Sequence, residues 1–379
     1  MASPAVLDIE SFLEPISEDA PVGSNIRDDR TANSLFYQIK DARERARTAE
    51  RNAMLENDDG VSAYDEWRTV LEVAPTILKE ASKDIEVAAW YIEALTRIHG
   101  YAGLRDGFAL AQQLAEKYWD DMFPIPDEDD YEDVRETRCA PYAGLNGEGR
   151  EGTLIPPLRN IEITEDREME PFAYWQYLQA MEIQKVADEE VREERIAAAG
   201  ISVDIFQRAI DSSSLEFCQH LIGDLEGCLE AFMALSDTLD EKGGEFSPPS
   251  SNIKNILNEI LGVINHLAKD KLALAAPAED AAEAEAGEDG AAAATGGAPS
   301  AANVAATAVQ SREEAFKQLL RISDFFMKTE PHSPVPYAIE KAVRWGRMPL
   351  HELMNELLTD SQTRETYELV TGVKLDGED

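Results

Sequence analysis

A chain of 379 residues and 42.0 kDa is long enough for about two or three domains with real cores, which excludes a stapled mini-protein. Its 35 Lys and Arg against 75 Asp and Glu give a formal charge of −40, which excludes nucleic acid as the main partner, because phosphate binding needs a basic footprint. With 44% hydrophobic residues it can still bury a core, while no apolar run reaches the roughly 18 residues of a membrane span and Met1 to Phe12 shows no basic-then-apolar leader pattern.

The predicted elements are helical, and the fold class that follows is all-α. After an irregular Pro/Gly/Asp segment, Glu14 to Asp29, the residues Trp67, Val70, Leu71, Ala74, Ile77, Leu78 and Ala81 recur at helical spacing, with Pro75 placed to kink or split the element. Asp84 is an N-cap for a second helix carrying Ala88, Tyr91, Ile92, Leu95 and Ile98, ending near Gly100. Leu104, Phe108, Ala111, Leu114, Ala115 and Tyr118 mark a third, which stops before Pro124. These define an N-terminal helical bundle domain over 1–145.

A middle helical region follows over 146–274. The partly alternating Leu154, Ile155, Leu158, Ile161 and Ile163 predict a short hairpin or extended connector. Leu215 to Leu239 and Ile253 to Leu267 then show two apolar stripes, and Gly243, Gly244, Pro248 and Pro249 between them permit reversal into a long αα-hairpin. From 275 to 309 the chain is almost wholly Ala, Gly, Pro, Asp, Glu, Ser and Thr, the composition of a flexible acidic linker.

The last segment, 310–379, predicts a small helical oligomerisation module. Ser311 and Glu314 form a capping box, and Ser333 before Pro334 offers an N-cap for a helix that Gly346 can close. Leu350, Leu353, Met354, Leu357 and Leu358 suggest a third helix, and Ser361 to Thr371 a fourth. The stripes containing Phe316, Leu319, Phe325, Phe326, Leu353 and Leu357 carry more apolar surface than one short bundle hides, which favours self-association.

Chemistry is not evident in the residue pattern. Gly147, Gly149 and Gly152 have dinucleotide-loop spacing, but Pro156 and Pro157 stand where phosphate-binding N–H groups belong, so a flexible surface loop is expected. The acidic run Asp127 to Asp130 fails the calcium-loop template, since Tyr131 replaces an oxygen ligand. Cys139, Cys218 and Cys228, an odd count with apolar neighbours, read as reduced packing residues, and the five histidines make no zinc spacing. No catalytic residue, cofactor or metal is predicted.

Three stretches carry a family resemblance. They are Phe12-Leu13-Glu14-Pro15-Ile16 through Gly23; Ser82-Lys83-Asp84 with Ala89-Trp90, Glu93-Ala94-Leu95, Gly100 through Gly107 and Tyr118-Trp119-Asp120; and Ser311 through Glu330-Pro331-His332-Ser333-Pro334-Val335 to Ala342-Val343-Arg344-Trp345-Gly346-Arg347-Met348-Pro349-Leu350. Together they resemble the TssA (ImpA) family of the type VI secretion system, the third stretch being similar to the C-terminal module of its shorter members. The resemblance implies a cytoplasmic, non-enzymatic assembly factor associated with the secretion machine at the inner membrane. It further implies a homo-oligomeric ring at the baseplate that works with the Hcp tube and the TssB/TssC sheath, with no nucleic acid partner and no membrane insertion.

Composition and periodicity alone equally fit a general cytosolic helical adaptor. A hydrolase using Ser333 and His332 is a further alternative, although neighbours in sequence do not make a triad. The candidate interaction residues are Trp90, Phe325, Phe326, Arg344 and Trp345. For Trp345, at the end of its predicted helix, an assembly surface and the core of its own bundle are both open readings.

Overall fold

In the computed structural model, which describes residues 2–31, 34–54, 61–126, 133–165, 167, 170–273, 312–329 and 334–348, the chain is all-α and forms two compact units, Met1–Glu288 and Asp289–Asp379. Among the described residues, extended pairing is limited to isolated bridges such as Glu162 with Ala173. The linker 275–309, the acidic run at 127–130, and the third and fourth C-terminal helices lie outside the described residues.

The first unit begins with a short helix, α1 (Glu10–Leu13), followed by α2 (Leu35–Met54) and α3 (Ala63–Thr76). Pro75 does break the pattern as expected: α3 gives way to one π-helical turn, Ile77–Ala81, because proline supplies no N–H and crowds the preceding turn. Asp84 caps α4 (Ile85–Tyr118) by accepting hydrogen bonds from Glu86 N and Val87 N. That long helix is broken at Gly100, whose φ of 59° and ψ of −142° no side chain tolerates well. A Cβ on Gly103 would sit 2.4 Å from Leu95 O, so the two glycines together let the chain turn sharply.

Beyond α4 come α5 (Val134–Asn146), α6 (Ile155–Asn160), α7 (Tyr174–Gln184), α8 (Glu189–Ala199) and α9 (Val203–Ser212). Helix α6 corrects the expected hairpin. Pro156 sits in the first turn, where its missing N–H costs nothing, and Leu154, Ile155 and Leu158 bury one face at helical spacing. Extended pairing is confined to the flank, where Ile163 N donates to Phe172 O at 2.8 Å.

The glycine-rich loop is also tighter than expected. Gly147 has a φ of 89°, and a Cβ there would lie 2.2 Å from Arg150 O; one on buried Gly152 would lie 2.2 Å from Leu145 O. The loop therefore closes backbone on backbone at Gly147 and Gly152.

The αα-hairpin forms as expected from α10 (Leu215–Gly243) and α11 (Ser251–Leu267), with α12 (Lys269–Ala273) after it. Helix α10 lies along α4 in the most extensive helix contact of the unit. Phe108 meets Phe232 at a ring distance of 5.0 Å, and Arg105 reaches Asp224 at 2.6 Å. One continuous core runs from Phe12 to Ala268, so the regions expected at 1–145 and 146–274 share a single interior.

In the second unit, α13 (Arg312–Thr329) packs on α14 (Val335–Arg347). Pro334, not Ser333, occupies the N-cap position, and Gly346 lies inside the helix instead of closing it. The reason for glycine there is proximity: a Cβ would stand 2.5 Å from Cζ of Phe316.

Candidate functional site

The segment Ser82-Lys83-Asp84 is fully buried between α4 and two neighbouring strands of loop. Lys83 N donates to Val22 O, and Phe123 N donates to Lys83 O, so three distant parts of the chain meet here. Lys83 Nζ donates to Phe12 O at 2.6 Å and Leu78 O at 2.8 Å. Burial first, then the nearby charge of Lys117, lowers its pKa to about 8. Asp84 pairs with Arg27 at 2.5 Å, and Arg27 also reaches Glu86 at 2.5 Å. Burial opposes the charge of Arg27, but the two carboxylates outweigh it and raise its pKa.

Over this knot lies a cavity of about 700 Å³, walled by α2 and α5, floored by Ala89 and Trp90 of α4, and closed at one end by Arg150 to Thr153. Trp90 is 6% exposed; its ring stacks on Phe36 at 5.8 Å, and the Arg43 guanidinium lies 5.4 Å from it. Arg43 is hydrogen-bonded to Glu93, which is completely buried. Burial pushes the Glu93 carboxyl pKa up, yet Arg43 and Arg97 prevail and hold it below the usual range. The buried Thr153 hydroxyl beside Glu93 adds to that lowering.

Arg47, one turn beyond Arg43, is half-buried in the same wall. Burial lowers its pKa; Glu93 opposes this, whereas Arg43, Arg97 and Arg51 add to it. Among the described residues Arg47 has no ion-pair partner, nor has Arg150 at the opposite end. The arrangement can hold an anionic group against an aromatic floor.

Residues 13–147 match the family described as "ImpA, N-terminal, type VI secretion system". Over that stretch the chain is similar to the TssA (ImpA_N) family. Over 360 residues it is 26% identical to the Type VI secretion system component TssA1 of Pseudomonas aeruginosa, covering 94% of this chain and 96% of that one. Its fold is that of the N-terminal domain, including the conserved ImpA_N region, of the TssA component from Burkholderia cenocepacia. That likeness has a TM-score of 0.56 at 23% identity over 69% of this chain and 94% of the other. The ImpA region encloses every cavity-lining residue up to Leu145.

Of the residues singled out in the sequence, Trp90 alone lines the ImpA cavity, and it does so as a core residue with one edge accessible. In the second unit Arg344 is exposed, while Phe326 and Trp345 are half-buried. Trp345 Nε1 is covered and meets no hydrogen-bond partner, and Lys341 Nζ stands 4.5 Å from its ring. The Phe325 side chain, His332 and Ser333 lie outside the described residues.

The arginines of the cavity were missed in the sequence, although a signal existed. Arg43, Arg45, Arg47 and Arg51 crowd one helix of a chain that is otherwise strongly acidic. The cysteines behave as expected of packing residues: all three are buried and unpaired, and burial pushes the Cys139 thiol up to about 11.

Proposed function

We propose that this chain is a non-enzymatic assembly scaffold of the type VI secretion machine, acting in the cytoplasm at the baseplate and coordinating the Hcp tube with the TssB/TssC sheath. The observation that carries this reading is the likeness to TssA1 along 94% of the chain, which reaches well past the ImpA region. In this reading 310–379 gathers copies into a ring, and 275–309 is the flexible acidic tether between that ring and the ImpA arms. Arms on such tethers raise one another's effective concentration at a repetitive partner. Phe325, Phe326, Arg344 and Trp345 supply the ring contacts. A charge of −40 directs the arms toward basic faces of the tube, sheath or baseplate.

Two measurements test this. Native mass spectrometry of the purified full chain is expected to give one closed homo-oligomer, and a monomer at micromolar concentration refutes the ring. Deletion of the gene in its own bacterium is expected to stop secretion of the tube protein, with recovery on complementation. Undiminished secretion refutes the role in the machine.

A further inference from the structure

The Trp90 cavity is built around a cation that the fold does not neutralise. Arg27 is held by Asp84 and Glu86, and Arg43 by Glu93, so both are satisfied internally. Arg47 is half-buried near Arg43, Arg51 and Arg97; the Glu93 carboxylate attracts it but is bonded to Arg43, and among the described residues Arg47 makes no ion pair of its own. Holding an unpaired charge partly out of water, among like charges, opposes folding. An incoming carboxylate removes that penalty and gains a charge-assisted bidentate hydrogen bond.

The rest of the cavity says what kind of molecule carries the carboxylate. Its volume of about 700 Å³ lies within the ordinary range for sites that enclose a ligand or several side chains. The α5 wall is cut back to Ala140 and Gly144, and a Cβ on Gly144 would meet nothing within 4 Å. The Trp90 floor offers an apolar contact next to the cation. Glu86 and Glu151 line the cavity already paired with Arg27 and Arg159, while Glu136 makes no ion pair among the described residues, which disfavours a doubly charged phosphate and suits a group that brings an N–H donor with its carboxylate. Those are the properties of a polypeptide.

We propose that the trough between α2 and α5 binds an acidic peptide segment of a partner protein, with a carboxylate on Arg47 and the adjoining chain over Trp90. The inference concerns the first unit and stands whether or not the C-terminal module forms a ring. Its test uses the full chain as bait for a random dodecapeptide library, with the Gly144→Leu chain as counter-selection. No secretion component enters, so failure here leaves the proposed role in the machine intact.

The expected outcome is enrichment of peptides rich in Asp and Glu. Their synthetic copies should bind about tenfold or more weakly to Arg47→Gln, the worth of one charge-assisted pair, and similarly to Gly144→Leu. Arg45→Gln, on an exposed arginine of the same helix paired with Glu66, should bind as wild type. Arg47→Gln should unfold at the same temperature as wild type or higher, because it removes a charge that burial disfavours. The proposal is overturned if no peptide is enriched, if the enriched peptides lack acidic residues, or if they bind Arg47→Gln undiminished. Full displacement by millimolar inorganic phosphate also overturns it, in favour of a small-anion site.

Discussion

Arg138 gives the sharpest test of how the first unit is held together. It is 2% exposed and, among the described residues, has no carboxylate within hydrogen-bond reach; its guanidinium instead donates to the carbonyls of Trp119, Met122 and Pro124. Those oxygens belong to the turn after α4, where the helix end leaves carbonyls without intrahelical partners. Arg138→Met keeps the length of the stem but removes every donor. Each carbonyl left buried and unsatisfied costs about 1 kcal/mol or more, so the three together cost roughly 3 kcal/mol. A partial offset comes from relief of the buried charge, since burial already lowers the Arg138 pKa. For a unit of this size that corresponds to a fall of roughly 6–12 °C in midpoint. Thermal unfolding followed by circular dichroism, with urea unfolding to give the free energy, measures it. Arg138→Lys should recover part of the loss, because an ammonium reaches one or two of the carbonyls. If Arg138→Met unfolds within about 0.5 kcal/mol of wild type, the carbonyls find other donors and the bonding argument fails.

Asp84→Ala removes both the α4 cap and the partner of Arg27, and should cost about 3–5 kcal/mol in urea unfolding, the scale of a broken buried pair; Asp84→Asn should restore about 1 kcal/mol by keeping the cap. Gly100→Ala should cost about 1–3 kcal/mol from backbone conformation alone, since the nearest atom, Ile161 Cγ2, is 3.5 Å away. The same change at Gly144, in an open helical position, should instead stabilise by about 0.5–1 kcal/mol; equal effects at the two sites would contradict the assignment. Lys83 binds its proton less tightly in the fold, at about 8, than in the unfolded chain at 10.5, so the unfolded state holds more protons between those values and stability should rise with pH there. Cys139 acts oppositely: stability present below its unfolded value of 9.0 is lost as pH passes about 11. The urea midpoint should therefore climb from pH about 8 to 9 and then flatten or fall, and a flat Lys83→Met profile over the first interval would support the assignment, whereas an unchanged climb would refute it.

Local signals were legible in the sequence wherever one residue sets the backbone by itself. Asp84 caps, Pro75 breaks, Gly100 turns, and the αα-hairpin follows its stripes, because each effect depends on near neighbours in the chain. Short apolar runs were less readable: Leu154 to Leu158 fits alternation and helical spacing alike, and only burial on α11 and α4 decides for the helix. Gly346 looked like a stop signal because proximity to Phe316, the actual requirement, lies at 30 residues' separation in sequence. The cavity was least legible of all. Trp90 is an ordinary core residue by pattern, and what makes its surroundings distinctive is Arg47 without an ion pair among the described residues, a property of the pairing and not of the string.

That pairing has a wider consequence for an acidic chain. Arg27, Arg43, Arg97 and Arg105 are mostly buried and each is bonded to a carboxylate, while Arg138 serves backbone carbonyls. Those internal pairs are each neutral, so the formal charge of −40 falls on the remaining residues and gives the protein a long-range negative field. Such a field speeds encounter with basic partners and fades once the screening length shrinks to about 10 Å or below, near 0.1 M salt and above. A carboxylate seated on half-buried Arg47 is shielded from that screening. Salt should therefore separate the two kinds of contact: association through the outer surface should weaken steeply between low and physiological ionic strength, whereas peptide binding in the Trp90 cavity should change little over the same range. Equal salt sensitivity in both would mean that Arg47 acts as one more surface charge.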